Sequence, residues 1–212
     1  MKLNFNNKGV TLIELLVTLV ITGMVVGGFY RIFIAQNKAY TVQDQVAELQ
    51  QNVRNAMKIL VRDLSMAGCD DESNLITVNN PLPLVADNAI TVSYEYFNQT
   101  TLATELHTVA YNLIGTNLVR QLAIGGVANP SEIILENIDQ LIFTYGIDTD
   151  NDGYVNNWVN AGGVGASMVI AVRVQLASRP TQVNPDLRTV SPRRLDSIVA
   201  MRNQIIRSLN SL

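Results

Sequence analysis

The chain holds one cysteine, Cys69, and one histidine, His107, in 212 residues. A single thiol leaves no partner for an intrachain disulfide and excludes a zinc site built on cysteines. Pairing of Cys69 between chains stays open; the plainer reading is a small residue at a helix end. His107 lies in the alternating run "TELHTVAYNL" and reads as a structural residue on a strand. With the one histidine on a strand and the one cysteine at a helix end, no Ser/His/acid or Cys/His pair can be assembled, and no enzyme is read. Charge is scarce as well. Charged residues make up 16% of the chain, hydrophobic residues 48%, and the formal net charge is −3. That balance argues against a general grip on nucleic acid and directs attention to a membrane segment. Proline is missing from residues 10–67, so nothing in that stretch forbids one long helix. A small-x-small cleavage site after the apolar run is missing too, which excludes an ordinary secretory signal.

What is present begins at the N-terminus. Residues 15–30, "LLVTLVITGMVVGGFY", carry no charge. With its flanks, Val10 to Ala35, the segment is long enough to cross a bilayer at ~1.5 Å per residue. Only Glu14 and Arg31 interrupt it with charge. The leader "MKLNFNNKG" carries Lys2 and Lys8 and no acid, so the positive-inside rule keeps it in the cytoplasm. The plausible processing site lies before the run, at Gly9. Glu14 is costly in lipid unless it is paired. Its candidate partners are the N-terminal amine left by processing, its own or a neighbour's, and the positive end of the helix dipole. Hydration at headgroup level is the plainer alternative. Gly23-x-x-x-Gly27, followed by Gly28, matches the small-residue pattern of packed membrane helices.

From residue 36 the helical pattern continues. Val42, Val46, Leu49, Val53, Ala56 and Leu60 follow steps of four and three, a narrow apolar stripe. Gly68 ends it as a C-terminal glycine does. A helix over 10–67 would be about 87 Å long at ~1.5 Å per residue. Beyond it come an acidic linker, "DDESN", and a turn-rich break, "NNPLPL". Strand-like runs then follow at 89–97, 106–114, 117–124, 134–147 and 168–177. "IGTN" separates two of them by a hairpin-sized gap. The expected fold is α+β, with the long helix laid on one face of a mostly antiparallel sheet. The expected layout is a leader over 1–9, a membrane and assembly helix over 10–35, an amphipathic continuation over 36–68 and a β-rich head over 69–212. The tail "LDSIVAMRNQIIRSL" also has helical spacing, through Leu195, Ile198, Ile205, Leu209 and Leu212.

"KGVTLIELLV" closely resembles the type III signal of type IV pilins and of the pseudopilins of type II secretion. The resemblance implies that a membrane-embedded prepilin peptidase recognises the stretch Lys8-Gly9-Val10, cuts between Gly9 and Val10 and methylates Val10. Glu14 then becomes the fifth mature residue, where the family carries its glutamate. Val10 is a departure, since most major pilins begin with phenylalanine. Further on, "RDLSMAGCDD", "FTYGIDTDNDGYVNNWV" with "MVIAVRVQLASR", and "IVAMRN" resemble the PilW-like minor pilins. The last of these favours a strand in the tail. The J-type pseudopilin shares the N-terminal pattern. The resemblance implies a pilin-like fold and a minor pilin that is not an enzyme, priming or capping pilus assembly. Adhesion, twitching motility or DNA uptake would follow from that role. It also implies the partners: other minor and major pilins, the prepilin peptidase, the inner-membrane assembly platform and inner-membrane lipid. The head would lie in the periplasm and, after assembly, on the pilus fibre at the cell surface. Two alternatives stand beside this one, a pseudopilin of a type II secretion tip complex and an unpolymerised, membrane-anchored periplasmic binding domain or enzyme.

"DTDNDG" supplies Asp148, Asp150, Asp152 and Gly153, acids at alternate positions before a glycine. That is how a calcium loop begins. The EF-hand pattern then fails, because its twelfth position is Val159 and the flanks are β-rich. A solvated turn explains the same residues. "NAGGVGAS" lacks the lysine and Ser/Thr of a phosphate loop and reads as a flexible loop. "SPRRLDS" is a small basic spot. Trp158 and tyrosines 94, 96, 111, 145 and 154 are not spaced as a stacking platform and are expected in the sheet core or at subunit contacts.

Overall fold

A computed structural model describes residues 9–70, 78–180 and 191–209. Two compact units divide at Gln45/Val46. Helix α1, Leu12–Met66, is assigned through both.

In the first unit every residue of α1 from Leu12 to Thr41 is exposed. Leu15, Leu16, Leu19, Val20, Met24, Phe29 and Ile32 stand out in all directions. A helix that is apolar all round needs lipid or other apolar helices about it. This one is long and apolar enough to cross a membrane.

In the second unit α1 acquires a buried face: Leu49, Val53, Ala56, Met57, Leu60, Asp63 and Leu64. Four of these are members of the predicted stripe, whose first two members, Val42 and Val46, are half-buried. The helix stops where the glycine stands. Gly68 takes φ 73°, and its N–H donates to the Ser93 carbonyl at 2.9 Å. A side chain there would meet Gln204 Nε2 at 2.8 Å and Pro81 at 3.3 Å, so only glycine fits both the conformation and the space.

The strands form two antiparallel sheets. The first runs β1 (Leu84–Val85), β2 (Ala89–Asn98), β3 (Ala103–Ile114), β4 (Asn117–Ile124), β5 (Val127–Ala128), with β6 (Glu132–Leu135) also on β4. The second has the order β10 (Arg193–Ala200), β9 (Met168–Ser178), β7 (Ile138–Asp148), β8 (Asn157–Val159). Helix α2, Arg202–Leu209, follows β10. The β3–β4 hairpin closes through Gly115 (φ 62°) and Thr116, in the gap expected from "IGTN".

Three expectations are corrected. The single strand expected over 134–147 is two strands in different sheets. Asn137 breaks it, at φ 54°, a conformation asparagine tolerates better than most residues. The carbonyls of Glu136 and Asn137 accept the Ser178 hydroxyl at 2.9 Å each, and that of Asn137 also accepts the Arg179 N–H at 2.9 Å. The tail is a strand as favoured, but only to Ala200; of the helically spaced residues Leu195 and Ile198 lie in β10, Ile205 and Leu209 in α2, and Leu212 lies outside the described residues. "NAGGVGAS" is also more ordered than a flexible loop. A 3-10 turn spans Ala161–Gly163, Val164 is buried, and the Ala161 N–H donates to Asp87 Oδ1 at 2.9 Å.

The sheets are stitched where β7 passes the β1–β2 connection. Phe143 N–H donates to the Asp87 carbonyl at 2.8 Å, and the Tyr145 hydroxyl donates to the Ala86 carbonyl at 2.6 Å. One core serves both sheets: Leu60 and Leu64 of α1 pack in the same cluster as Ile90, Tyr111, Phe143 and Val174. Full burial of each such side chain stabilises by roughly 1.5–3 kcal/mol.

Candidate functional site

The start of α1 is built by local chemistry. Thr11 stands just before the helix. Its carbonyl accepts the Leu15 N–H at 3.2 Å, and its hydroxyl accepts the Glu14 N–H at 3.4 Å. Thr11 is therefore the N-cap and Glu14 the third helical residue. Thr-x-x-Glu is the sequence pattern of a capping box, a signal that the charge-based reading of Glu14 passed over. Glu14 lies in the first turn, where four amides lack helical partners and a negative charge is favoured. Gly9 and Val10 precede the cap in exposed chain. The Gly9–Val10 bond therefore lies outside the helix. Lys8, the remaining member of the predicted processing motif, lies outside the described residues.

The acidic turn is the second predicted feature. Asp148, Asp150 and Asp152 each bring one carboxylate oxygen into a group within 4.8 Å. Asp148 is buried, and its oxygens accept backbone N–H groups from Asn151 at 2.7 Å, Gly153 at 2.9 Å and Asp150 at 3.3 Å. Those bonds fold the chain through left-handed Asn151 (φ 61°) and Gly153 (φ 81°). Asp150 and Asp152 are more exposed. Calcium takes six to eight oxygens. Asp148, Asp150 and Asp152 are the grouped carboxylates among the described residues that could offer some of them, while Val159 of β8 is paired with Tyr145 of β7. The amide-to-carboxylate bonds of Asp148 are those of a turn.

A third cluster went unread. Asp63, spaced as one more polar helix residue, has no solvent exposure. Its Oδ2 accepts the Tyr111 hydroxyl at 2.6 Å and Arg120 Nε at 2.8 Å, and its Oδ1 accepts Arg62 Nε at 3.0 Å. Arg120 also reaches Glu132 at 2.9 Å. Burial, and then the charge of Asp63, push the Tyr111 phenol well up from its ordinary value. Burial alone would pull Arg120 down, but the hydrogen bond and charge of Asp63 outweigh it and hold the guanidinium up. The cluster fastens α1 to β3 and β4, adjacent strands paired at Tyr111↔Arg120. The signal was present as a strand arginine and tyrosine of matching register, legible only once β3 and β4 are paired.

The other singled-out residues are structural. His107 is buried in β3, stacked on Tyr96 at 4.8 Å between centroids, with Glu105 at 3.5 Å. Tyr94, Tyr111 and Tyr145 are core, whereas Tyr96 and Tyr154 are exposed. Arg173 lies over Trp158, 4.5 Å from the ring centroid. Cys69 is half-buried beyond the end of α1, and its carbonyl accepts the Glu95 N–H at 2.9 Å.

Two family models match the chain. The prokaryotic N-terminal methylation motif covers residues 4–30, the cap and the exposed apolar helix. The type IV pilus-assembly protein W family covers residues 106–205, from β3 into α2. Together the two matches support a PilW-type type IV pilin. No curated protein matches it. The pilin is a minor pilin of the type IV pilus, with other pilins as its partners and an N-terminal membrane anchor. The type II secretion and unpolymerised readings are not favoured. The family is a structural component of the pilus.

Proposed function

We propose that this minor pilin is made as an inner-membrane prepilin with its head in the periplasm, is cut by prepilin peptidase between Gly9 and Val10, and is methylated on Val10. From the membrane it passes through the assembly platform into the fibre, where it primes or caps assembly. Glu14 then meets the positive N-terminal amine of a neighbouring subunit. The observation that carries this reading is the exposed apolar helix directly after an N-cap. Residues Leu12–Thr41 bury nothing in their own chain, while the methylation motif overlies the helix start. A buried carboxylate costs several kcal/mol unless a positive group answers it. An incoming amine removes that cost and favours a neighbour placed in register. Mass spectrometry of the membrane-extracted protein tests the cut: the expected N-terminus is methylated Val10, and a mass beginning at Met1 refutes it. Glu14→Val tests the pairing. Cleavage should persist while the sheared fibre fraction loses the subunit, and normal incorporation would refute the role of Glu14.

A further inference from the structure

On the head, α1 and the edge strand β10 enclose a groove of about 400 Å³. Its floor is apolar, from Met57 and Val61 of α1 and Leu195 of β10, and its rim is a row of cations, Arg54, Lys58 and Arg62. These three stand four residues apart on one helix face. Like charges at that spacing repel by roughly 0.2–0.5 kcal/mol per pair, so the row weakens the helix that carries it. Arg62 is answered by Asp63 at 2.9 Å. No ion pair to Arg54 or Lys58 occurs among the described residues. Beside the row, β10 ends its sheet. It pairs with β9 along Arg193–Ala200, and among the described residues no strand lies on its other side. Alternate residues of such a strand aim their N–H and C=O groups away from the sheet.

Open backbone bonds, an apolar floor and a cationic rim define one kind of occupant. We propose that this groove receives an extended, carboxylate-bearing segment of a neighbouring pilin subunit. The segment adds as a strand to β10, with its acids against Arg54 and Lys58. Main-chain bonds supply affinity in this mode, and the side chains choose the partner. Three cations are too few for a firm hold on a nucleic acid, whose binding scales with the number of phosphates neutralised. The proposal rests on the chain being incorporated among other pilins.

The test uses the full chain in cells that also make its partner pilins. A photo-crosslinking residue replaces Ser197, which lines the groove, and adducts are sequenced by mass spectrometry. The expected adduct lies in an acidic, extended stretch of another pilin subunit. In the same chain, Arg54→Glu with Lys58→Glu should lower its yield about tenfold. Changing the captured acids to lysine should restore it, which a merely misfolded head would not allow. An adduct to lipid, to nucleic acid or to an acid-free stretch overturns the proposal, as does indifference to the charge reversals. Processing at Gly9 and recovery in sheared fibres are scored in each sample. Incorporation without an adduct overturns the groove alone, and failure of the unmodified chain to reach fibres overturns the assembly reading and the groove with it.

Discussion

Removing the Asp63 carboxylate should cost the head a large part of its stability. Asp63→Ala deletes the bonds to Tyr111 at 2.6 Å and Arg120 at 2.8 Å, in a place without solvent exposure. Each hydrogen bond to a charged group contributes roughly 1.5–3 kcal/mol. The larger effect is what stays behind: the Arg120 side chain, 12% exposed, keeps its charge and retains the Tyr111 hydroxyl and Glu132, itself 66% exposed. Breaking a buried pair from one side costs about 3–5 kcal/mol. The Arg62 contact adds little, since that side chain is 63% exposed. For a domain of this size the loss corresponds to a fall in Tm of about 6–20 °C. The assay is thermal and urea unfolding of the purified full chain in mild detergent, followed by Trp158 fluorescence. A second variant separates a stranded charge from a lost contact. Asp63→Leu with Tyr111→Phe and Arg120→Met removes every member of the buried set, and should lose less than Asp63→Ala alone. A cost below about 1 kcal/mol for Asp63→Ala, the range of exposed pairs, would refute the reasoning. So would a triple variant weaker than the single one.

The raised phenols predict alkaline sensitivity. Tyr111 and Tyr145 are fully buried, and burial first, aided by Asp63 and Asp87 respectively, pushes both up. Their contribution is complete below the unfolded tyrosine value near 10 and is lost as pH rises above it, at about 1.4 kcal/mol per pH unit for each. Urea midpoints measured above pH 10 should therefore fall, and Tyr111→Phe should flatten the slope; an unchanged slope speaks against burial as the cause. Gly68→Ala should destabilise by about 1–2 kcal/mol from the left-handed backbone alone, with more from contact with Gln204 and Pro81; a stability gain would overturn that account. Calcium titrated into the protein should give no heat beyond that of Asp150→Ala, because Asp148 is engaged by turn amides. Heat that this substitution abolishes would instead make the acidic group a cation site.

How far the sequence could be read depended on the range of each interaction. The apolar run, the stripe Leu49–Val53–Ala56–Leu60, the Gly68 stop and the β3–β4 hairpin are local patterns, and all four stand in the structure. Apolar residues on both sides of Asn137 make "ILENIDQLIF" read as one run, although Asn137 and Asp139 are poor strand formers. What divides it is a turn held by Ser178, 41 residues away. The role of Asp63 was missed for the same reason, its partners lying 48 and 57 residues further on. At the N-terminus the charge of Glu14 was weighed, but its spacing from Thr11 was not.

Helix α2 gives the head an order of completion. Asn203 Nδ2 bonds the Ala67 carbonyl at 3.3 Å across 136 residues, Gln204 packs over Gly68, and Ile205 and Leu209 rest on Gly153 of the acidic turn. The ribosome delivers Ala67 early and these four residues long after it. The end of α1 therefore waits through most of synthesis, and the acidic turn for a much shorter stretch, for a cover that follows every described strand. A fusion or truncation at α2 would strike the closing step of the fold while every strand is intact.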